Sequence, residues 1–253
     1  MLTSDQVAEY HEKGYVVPDY GLSEETLESI RRDHDRLLAA HPDFRDNCPA
    51  LLTYDLAFLN YARDPNILDM AAQVIGSDIA LWNMSFFAKP AHNGKKTPYH
   101  QDGEYWPIRP LATCTVWIAV DDATVENGCL KLIPGSHKDK RLMAHEQRND
   151  PELTLQQELV PNEFDESTAE NLVLEAGQMS LHDIYLAHGS EINTSDKPRR
   201  GMTLRLMPTT SVYDRDVARG MYAARRGNDM SHHSIFLLRG EDRSGGNDFR
   251  VRS

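Results

Sequence analysis

The sequence has few cysteines, a deficit of positive charge and no long apolar run. The three cysteines, Cys48, Cys114 and Cys129, are odd in number and far apart, so neither a disulfide framework nor a CxxC zinc site can be read from them. Lysine and arginine total 27 against 39 acidic residues, which leaves no basic surface for nucleic-acid phosphates or an anionic bilayer. No stretch approaches the roughly 18 apolar residues of a membrane span. We therefore expect neither nucleic acid nor membrane as a partner.

Length and composition suit one large domain or two, and the absence of a linker favours one. The chain has 253 residues, of which 40% are hydrophobic, and neither an internal repeat nor a Ser/Gly-rich linker divides it. Its start, MLTSDQVAEYHEKG, lacks the positive charge followed by an apolar core that a secretory signal shows. We expect a cytoplasmic protein, and the sequence carries no signal for an oligomeric state.

Helix signals come first along the chain. Thr3 and Gln6 form a predicted capping box, and Gly14 is placed to end that helix in a left-handed conformation. The segment that follows Ser23, EETLESIRRDHDRLLAA, has leucine and isoleucine at helical spacing and carboxylates in its first turn. PNILDMAAQVIG, residues 65–76, has proline at its start and glycine at its end. These signals predict three helices in a helical front over residues 1–76.

Strand signals follow. Short runs rich in Val, Ile, Leu, Thr and aromatic residues alternate with Gly, Pro, Asn and Asp, as in DIALWNMSFFA, TCTVWIAVDD, GCLKLIPGS, NLVLEAGQMSLHDIYLAHG and GMTLRLMPT. Such spacing predicts a β-sandwich or barrel core over residues 77–210. The polar, weakly periodic stretch at about 138–170 is expected to be a lid or insertion. Residues 211–253 are expected to form a C-terminal segment. We expect the whole of 1–253 to fold as a single domain.

The stretch YHQDGEYWP, residues 99–107, contains a candidate pair of metal ligands. In a strand, His100 and Asp102 would project from the same face. They would supply two ligands of the two-histidine, one-carboxylate triad that holds non-haem iron, and a distant histidine would supply the third. The HxD pattern alone is weak among 11 histidines and 39 acidic residues. The alternative is a hydrogen-bonded His–Asp pair at a surface turn.

The other histidines offer two candidates for the third ligand. Histidines in charged helical stretches are expected at the solvated surface, namely His11, His34 and His41. His232 and His233 are neighbours, so in a strand their side chains would face opposite ways and would bind one metal together poorly. His137 follows PGS at a strand end and is expected to bond the loop backbone. His182 and His188 lie six residues apart on one strand-like segment, LHDIYLAHGS, and the residues alone leave both open.

Three motifs follow one another along the chain: HQD at 100–102, TVWIAVDDATVENGCLKLIPGSHK at 115–138, and the H-G-S-x-x-N-x-S-x-x-x-R pattern from His188 to Arg199. Together they resemble the phytanoyl-CoA dioxygenase family of iron(II)- and 2-oxoglutarate-dependent oxygenases. The resemblance implies a mainly β fold behind N-terminal helices, a double-stranded β-helix, also called a jelly-roll or cupin-like barrel. It also implies iron held by His100, Asp102 and His188, and a structural role for His182.

The resemblance further implies the residues that bind 2-oxoglutarate. It places a cosubstrate-binding arginine at Arg199, where a guanidinium can bind a carboxylate through two parallel hydrogen bonds. Arg200 is the rival, but neighbouring strand residues point oppositely, so one of the two faces the interior. The family match adds Ser190, Trp117 and Thr115 as cosubstrate contacts, although a strand tryptophan is also common in a core.

The implied reaction uses dioxygen to hydroxylate a small-molecule substrate while 2-oxoglutarate is converted to succinate and carbon dioxide. Related halogenases have a small residue at the position of Asp102, so its carboxylate argues for hydroxylation. Four residues are candidate substrate contacts, namely Tyr105, Trp106, Asn83 and Arg109. The acidic balance favours a small polar metabolite, such as an aminophosphonate or a zwitterionic amine. The alternatives are an acyl-CoA hydroxylase, a non-catalytic metal- or ligand-binding jelly roll, and a metal-dependent hydrolase.

Overall fold

A computed structural model of the chain describes residues 1–225 and 229–252. The predicted helices are present, together with one short helix, and their bounds are α1 Ser4–Lys13, α2 Glu24–Ala40, α3 Leu51–Tyr54 and α4 Pro65–Ile75. The predicted capping box forms at Thr3 and Gln6, and Gly14 ends α1 with φ 87°. Helical turns of 3-10 type lie at Pro42–Phe44 and Leu56–Arg63. None of the helices in the described ranges has the length and apolar character that crossing a bilayer requires.

A further helix near the C-terminus was not predicted. It is α5, Arg215–Arg225, and Asp214 bonds the backbone N–H groups of its first turn through its side chain. Its sequence, RDVARGMYAAR, does place Val217, Ala218 and Met221 on one helical face, a signal that the sequence analysis missed. Residues 226–228 and 253 of the predicted C-terminal segment lie outside the described residues.

The strands form two main antiparallel sheets and two short ribbons. The strand bounds are β1 Tyr15–Val16, β2 Asn47–Cys48, β3 Ile79–Lys89, β4 Thr97–His100, β5 Ile108–Arg109, β6 Cys114–Ala119, β7 Leu130–Leu132, β8 His145–Gln147, β9 Gln157–Leu159, β10 Glu170–Leu172, β11 Met179–Asp183, β12 His188–Ser190, β13 Arg199–Pro208, β14 Val212–Tyr213 and β15 Phe236–Arg239. The larger sheet has the order β1-β11-β6-β13-β3-β15, with β2 on β3, and the smaller has the order β10-β7-β12-β4.

Alternation along the strands of the larger sheet separates the core from the site. On β13, Met202 and Leu204 belong to the apolar core that also contains residues of α2 and α4, whereas Arg199, Thr203 and Arg205 line an interior cavity. The period of two residues in a strand accounts for this division. The smaller sheet contributes residues to the same cavity, so the two sheets face each other across it.

The polar stretch at 138–170 folds as a hairpin, β8 paired with β9, followed by 3-10 turns at Pro161–Glu163 and Glu166–Thr168. Gln101 anchors it, since its side chain donates to the Arg141 carbonyl and accepts from the backbone N–H of Met143. Its role as a lid stays a prediction.

His34 does not lie at the solvated surface as predicted. It is 2% exposed on the inner face of α2, with its ring centroid 4.2 Å from that of Phe86. Neither ring nitrogen has a hydrogen-bond partner among the described residues. Burial, followed by the positive charge of Arg200, lowers the pKa of His34 to about 4. The charged neighbours on α2 masked an inward-facing position at helical spacing.

Candidate active site

Three side chains from separate parts of the chain converge at one end of the smaller sheet. His100 ends β4, Asp102 begins the 3-10 turn Asp102–Glu104, and His188 begins β12. One potential ligand atom from each residue lies within 4.8 Å of the others, and all three residues are buried. His188 is the direct partner of His100 in the antiparallel pairing of β12 with β4. The structure thus brings together the three residues that the resemblance implied as iron ligands.

Two assumptions of the sequence analysis were wrong in detail. Asp102 is not on the strand of His100, because the strand ends at His100 and a turn brings the carboxylate back toward the imidazole. His182 and His188 are not on one strand either, since His182 lies on β11 of the larger sheet and His188 on β12 of the smaller. Both rings nevertheless reach the cavity, with centroids 5.0 Å apart. His182 Nε2 lies 3.7 Å from Asp102 Oδ2.

The backbone orients both candidate histidine ligands. The Pro98 carbonyl lies 2.9 Å from Nδ1 of His100, and the Leu186 carbonyl lies 2.9 Å from Nδ1 of His188. A carbonyl can only accept, so each Nδ1 carries the proton and each Nε2 is left with its lone pair for a metal. Thr115 Oγ1 donates to Asp102 Oδ2 at 3.1 Å and fixes the carboxylate in the same way. Each of the three side chains is therefore held in place by a hydrogen bond to a neighbouring group.

Burial sets the charge of this group. It lowers the pKa of His100 to about 4 and that of His188 to about 3, so both rings are neutral at pH 7. Burial alone would raise the pKa of Asp102, but the nearby imidazoles and the Arg205 guanidinium lower it below its ordinary value. The group therefore carries two neutral nitrogen donors and one carboxylate, the donor set that suits a divalent iron.

Arg199 lies in the same cavity as the three candidate ligands. It is 1% exposed, its Nη1 donates to the Phe87 carbonyl at 3.0 Å, and its Cζ lies 5.3 Å from the centroid of the Trp117 ring. It forms no ion pair with any described residue, and its Nε has no hydrogen-bond partner there. Burial lowers its pKa to about 10, which still leaves it charged. Arg200 points the other way and pairs with Asp121 through two bonds of 2.8 Å.

Ser190 and Arg199 supply the observation that tests the fit of 2-oxoglutarate. Ser190 Oγ is buried and lacks a partner among the described residues, on the sheet opposite Arg199. A buried guanidinium without a carboxylate and a buried hydroxyl without a partner are costly unless a ligand satisfies them. A dicarboxylate would do so. The cavity that both residues line has a volume of about 30 Å³.

A second cavity of about 470 Å³ adjoins the first, and four residues line both: Phe87, His100, Asp102 and Arg205. Its size lies in the range of small-molecule sites. Trp106, Tyr105 and Asn83 line it, as the sequence analysis expected of substrate contacts. The Asn83 side chain is also bonded to the Pro49 carbonyl and to the backbone N–H of Met84.

Arg109 does not reach either cavity. It is exposed on β5, and its guanidinium donates to the carbonyls of Trp106 and Ile108. The expectation of a substrate contact is corrected, because the side chain turns back onto its own strand.

Sequence reasoning missed Arg205, which lines both cavities. A signal was present. Arg205 lies six residues after Arg199 within the apolar run GMTLRLMP, and an even offset places both on one face of β13. His182 was assigned a structural role, yet it lines the cavity of the candidate ligands.

Comparison with known proteins agrees with the fold and the family. Among solved structures, the non-heme monooxygenase ThoJ in its apo form superposes with a TM-score of 0.76 at 23% identity, covering 98% of this chain and 89% of that one. EctD from S. alaskensis with 2-oxoglutarate and 5-hydroxyectoine has a TM-score of 0.67 at 20% identity, covering 83% of this chain and 77% of that one. These likenesses show the jelly-roll fold, here as two facing sheets rather than one closed barrel.

The family model described as phytanoyl-CoA dioxygenase (PhyH) matches residues 10–201. The chain therefore belongs to the phytanoyl-CoA dioxygenase family. A phytanoyl-CoA dioxygenase domain-containing protein 1 homolog of Caenorhabditis briggsae is 35% identical over 132 residues, 49% of this chain and 45% of that protein. The peroxisomal phytanoyl-CoA dioxygenase of Homo sapiens is 30% identical over 155 residues, 59% of this chain and 45% of that protein. The chain spans about half the length of the curated relatives it matches. The predicted family is confirmed. The oxygenase activity and the cofactors Fe(II) and 2-oxoglutarate stay predictions.

Proposed function

We propose that this protein is an Fe(II)- and 2-oxoglutarate-dependent dioxygenase that hydroxylates a C–H bond of a small polar metabolite. The observation that supports it most is the meeting of His100, Asp102 and His188 in one cavity with the unpaired guanidinium of Arg199. When bound, iron and 2-oxoglutarate activate dioxygen, and 2-oxoglutarate becomes succinate and carbon dioxide as the substrate gains a hydroxyl group.

The chain's own residues would hold and orient these groups. His100 and His188 would hold the iron through Nε2, and Asp102 through the carboxylate that Thr115 orients. Arg199 would bind the remote carboxylate of 2-oxoglutarate with charge-assisted hydrogen bonds, above the Trp117 ring. The Ser190 hydroxyl would donate a hydrogen bond to the same molecule.

The larger cavity supports a small substrate. Its volume of about 470 Å³ suits a metabolite, and Trp106 and Tyr105 provide aromatic walls beside the candidate ligands. An aminophosphonate or zwitterionic amine stays our proposal at this level. The second candidate is an acyl-CoA, the substrate class in the names of the relatives.

A substrate panel tests the proposal. The protein with Fe(II), ascorbate and 2-oxoglutarate is mixed with small amino acids, aminophosphonates, quaternary amines, organic acids and acyl-CoA thioesters, and succinate is measured. We expect one small-molecule class to raise succinate formation and to gain one oxygen atom by mass spectrometry. Stimulation by acyl-CoA alone would support the second candidate. Absence of 2-oxoglutarate binding would support the non-catalytic binding protein or the metal-dependent hydrolase.

A further inference from the structure

Arg205 is a buried cation that the implied iron and 2-oxoglutarate sites do not use. It lies near the middle of β13, is 7% exposed, and lines both cavities. No described carboxylate lies within ion-pair distance of it, and Asp102 instead lies near the imidazoles of His100 and His182. Its Nε has no hydrogen-bond partner among the described residues, and none of the hydrogen bonds in that part of the chain uses its Nη atoms. A guanidinium stays charged at neutral pH. Asp102 interacts with this charge only from beyond ion-pair distance, and the proposed function assigns that carboxylate to iron.

Aromatic rings fix the guanidinium without satisfying its donors. Its Cζ lies 4.9 Å from the ring centroid of Trp106, 5.7 Å from that of Trp82 and 5.9 Å from that of Phe87. Contacts with ring faces stabilise the charge but accept no conventional hydrogen bond from the N–H groups. The rings therefore hold the guanidinium group in place and leave its N–H donors free for a ligand in the cavity.

The remaining polar groups of the larger cavity favour an anion over a cation. Among the described residues that line it, Asp102 is the single carboxylate, and the proposed function assigns that group to iron. The other polar side chains are mainly amides: Asn47, Asn83, Gln147, Gln156 and Gln157. The two tryptophan rings that could hold an ammonium already contact Arg205.

We propose that Arg205 is a substrate-binding residue that holds an anionic group, a carboxylate or phosphonate, of a small organic acid in the larger cavity. This inference rests on the proposed function in that it takes the larger cavity as the substrate site. It narrows the substrate class, because an ammonium or quaternary amine without an acidic group would lack a partner and be repelled by Arg205. The carboxylate and phosphonate share the recognition chemistry, two acceptor oxygens for the guanidinium fork.

Four probes of one skeleton test the inference: 3-phenylpropanoate, 2-phenylethylphosphonate, 3-phenylpropanamide and 3-phenylpropylamine. Each is titrated by calorimetry into protein loaded with Zn(II) and 2-oxoglutarate, which occupy the metal ligands and Arg199. We expect at least one anion to bind about tenfold more tightly than the amide, the factor that a charge-assisted hydrogen bond gives. We expect the amine to bind more weakly than the amide. Equal affinity of both anions and the amide in the unmodified protein would overturn the inference.

Variants assign the preference to Arg205. Arg205→Met should bring the anions and the amide within twofold of each other, whereas Arg205→Lys should keep part of the preference. Arg239→Met, at a surface arginine paired with Asp69, is the matched control and should keep all of it. A full preference in Arg205→Met would contradict the inference. If that variant does not fold, an unchanged preference in Arg205→Lys contradicts it, because an ammonium cannot reproduce the two-bond fork.

The binding of 2-oxoglutarate is measured separately, so the two proposals fail in different ways. If 2-oxoglutarate does not bind but metal-free protein still prefers the anions, the proposed function fails and the inference about Arg205 stands. If 2-oxoglutarate binds and the preference is absent, the inference alone fails.

Discussion

His188 and His100 face each other directly across the antiparallel pair of β12 and β4, and their ring centroids lie 4.3 Å apart. They are far apart in sequence, so the pairing of two short strands sets their separation. Asp102 joins them through the turn that follows β4. The candidate metal site is thus fixed by the sheet register, which a one-residue slip would destroy because alternate side chains face opposite sides.

Thr115→Val should weaken metal binding. The Thr115 hydroxyl donates to Asp102 Oδ2, and valine has nearly the same shape without the donor. Loss of such a supporting hydrogen bond typically lowers metal affinity by about 10- to 100-fold. Competition of the protein with a chelator for Zn(II) measures the change. Thr203→Val is the control, because the Thr203 hydroxyl bonds Ser85 and no candidate ligand. Equal losses in both variants would contradict a specific role for Thr115.

Arg199→Lys should raise the KM for 2-oxoglutarate by at least about tenfold, since an ammonium cannot form two parallel bonds to a carboxylate. Arg200→Lys is the matched control from the next position. Arg200 pairs with Asp121 on the other face of β13, so this variant should change the KM by less than about twofold. Titration of succinate formation against 2-oxoglutarate measures both. The reverse order of effects would show that Arg200 is the cosubstrate residue.

Gly201→Ala should destabilise the protein and weaken 2-oxoglutarate binding together. A Cβ at Gly201 would lie under 3.0 Å from the ring of Trp117, which packs beneath Arg199, so the ring must move. Overpacking of this kind costs about 1–3 kcal/mol of unfolding free energy. Gly220→Ala on α5 meets nothing within 4 Å and should stabilise by up to about 1 kcal/mol. Denaturant unfolding measures the free energy of unfolding of both variants. An unchanged value in Gly201→Ala would argue against a rigid Trp117.

His34→Leu should make the free energy of unfolding less dependent on pH between pH 6.5 and pH 4. The pKa of His34 is about 4 in the folded protein, below its ordinary value of 6.5, because the ring is buried without a partner. The unfolded chain therefore binds more protons between these values, and stability falls as pH drops from 6.5 toward 4. The loss from this group is on the order of 3 kcal/mol. Urea unfolding of the unmodified protein and of His34→Leu at pH 7 and pH 4.5 measures this loss. An equal pH dependence of the unfolding free energy in the two proteins would contradict the lowered pKa of His34.

Local signals predicted the parts of the fold that depend on few residues. The cap at Thr3, the end of α1 at Gly14 and the long strand β3 follow from side-chain hydrogen bonding, positive φ and β-branched or aromatic content. The helix α5 was missed although Val217, Ala218 and Met221 lie at helical spacing among its charged residues. The buried position of His34 escaped because neighbouring charges outweighed its helical spacing.

The site required information beyond local pattern. Spacing alone left His182 and His188 as rivals, because both were placed on one strand, whereas a turn sends them to different sheets. The family resemblance selected His188, and the structure places it with His100 and Asp102. Arg205 could have been found from its charge within an apolar strand. The outward turn of Arg109 could not, since it depends on carbonyl acceptors of its own segment.

The central claim is that His100, Asp102 and His188 hold one ferrous ion beside a 2-oxoglutarate bound by Arg199. Anaerobic addition of Fe(II) and then 2-oxoglutarate to the protein tests it most directly, with visible absorption as the readout. We predict a weak charge-transfer band that needs both additions and is absent from His188→Ala. No band in the unmodified protein, or an undiminished band in His188→Ala, would contradict the account.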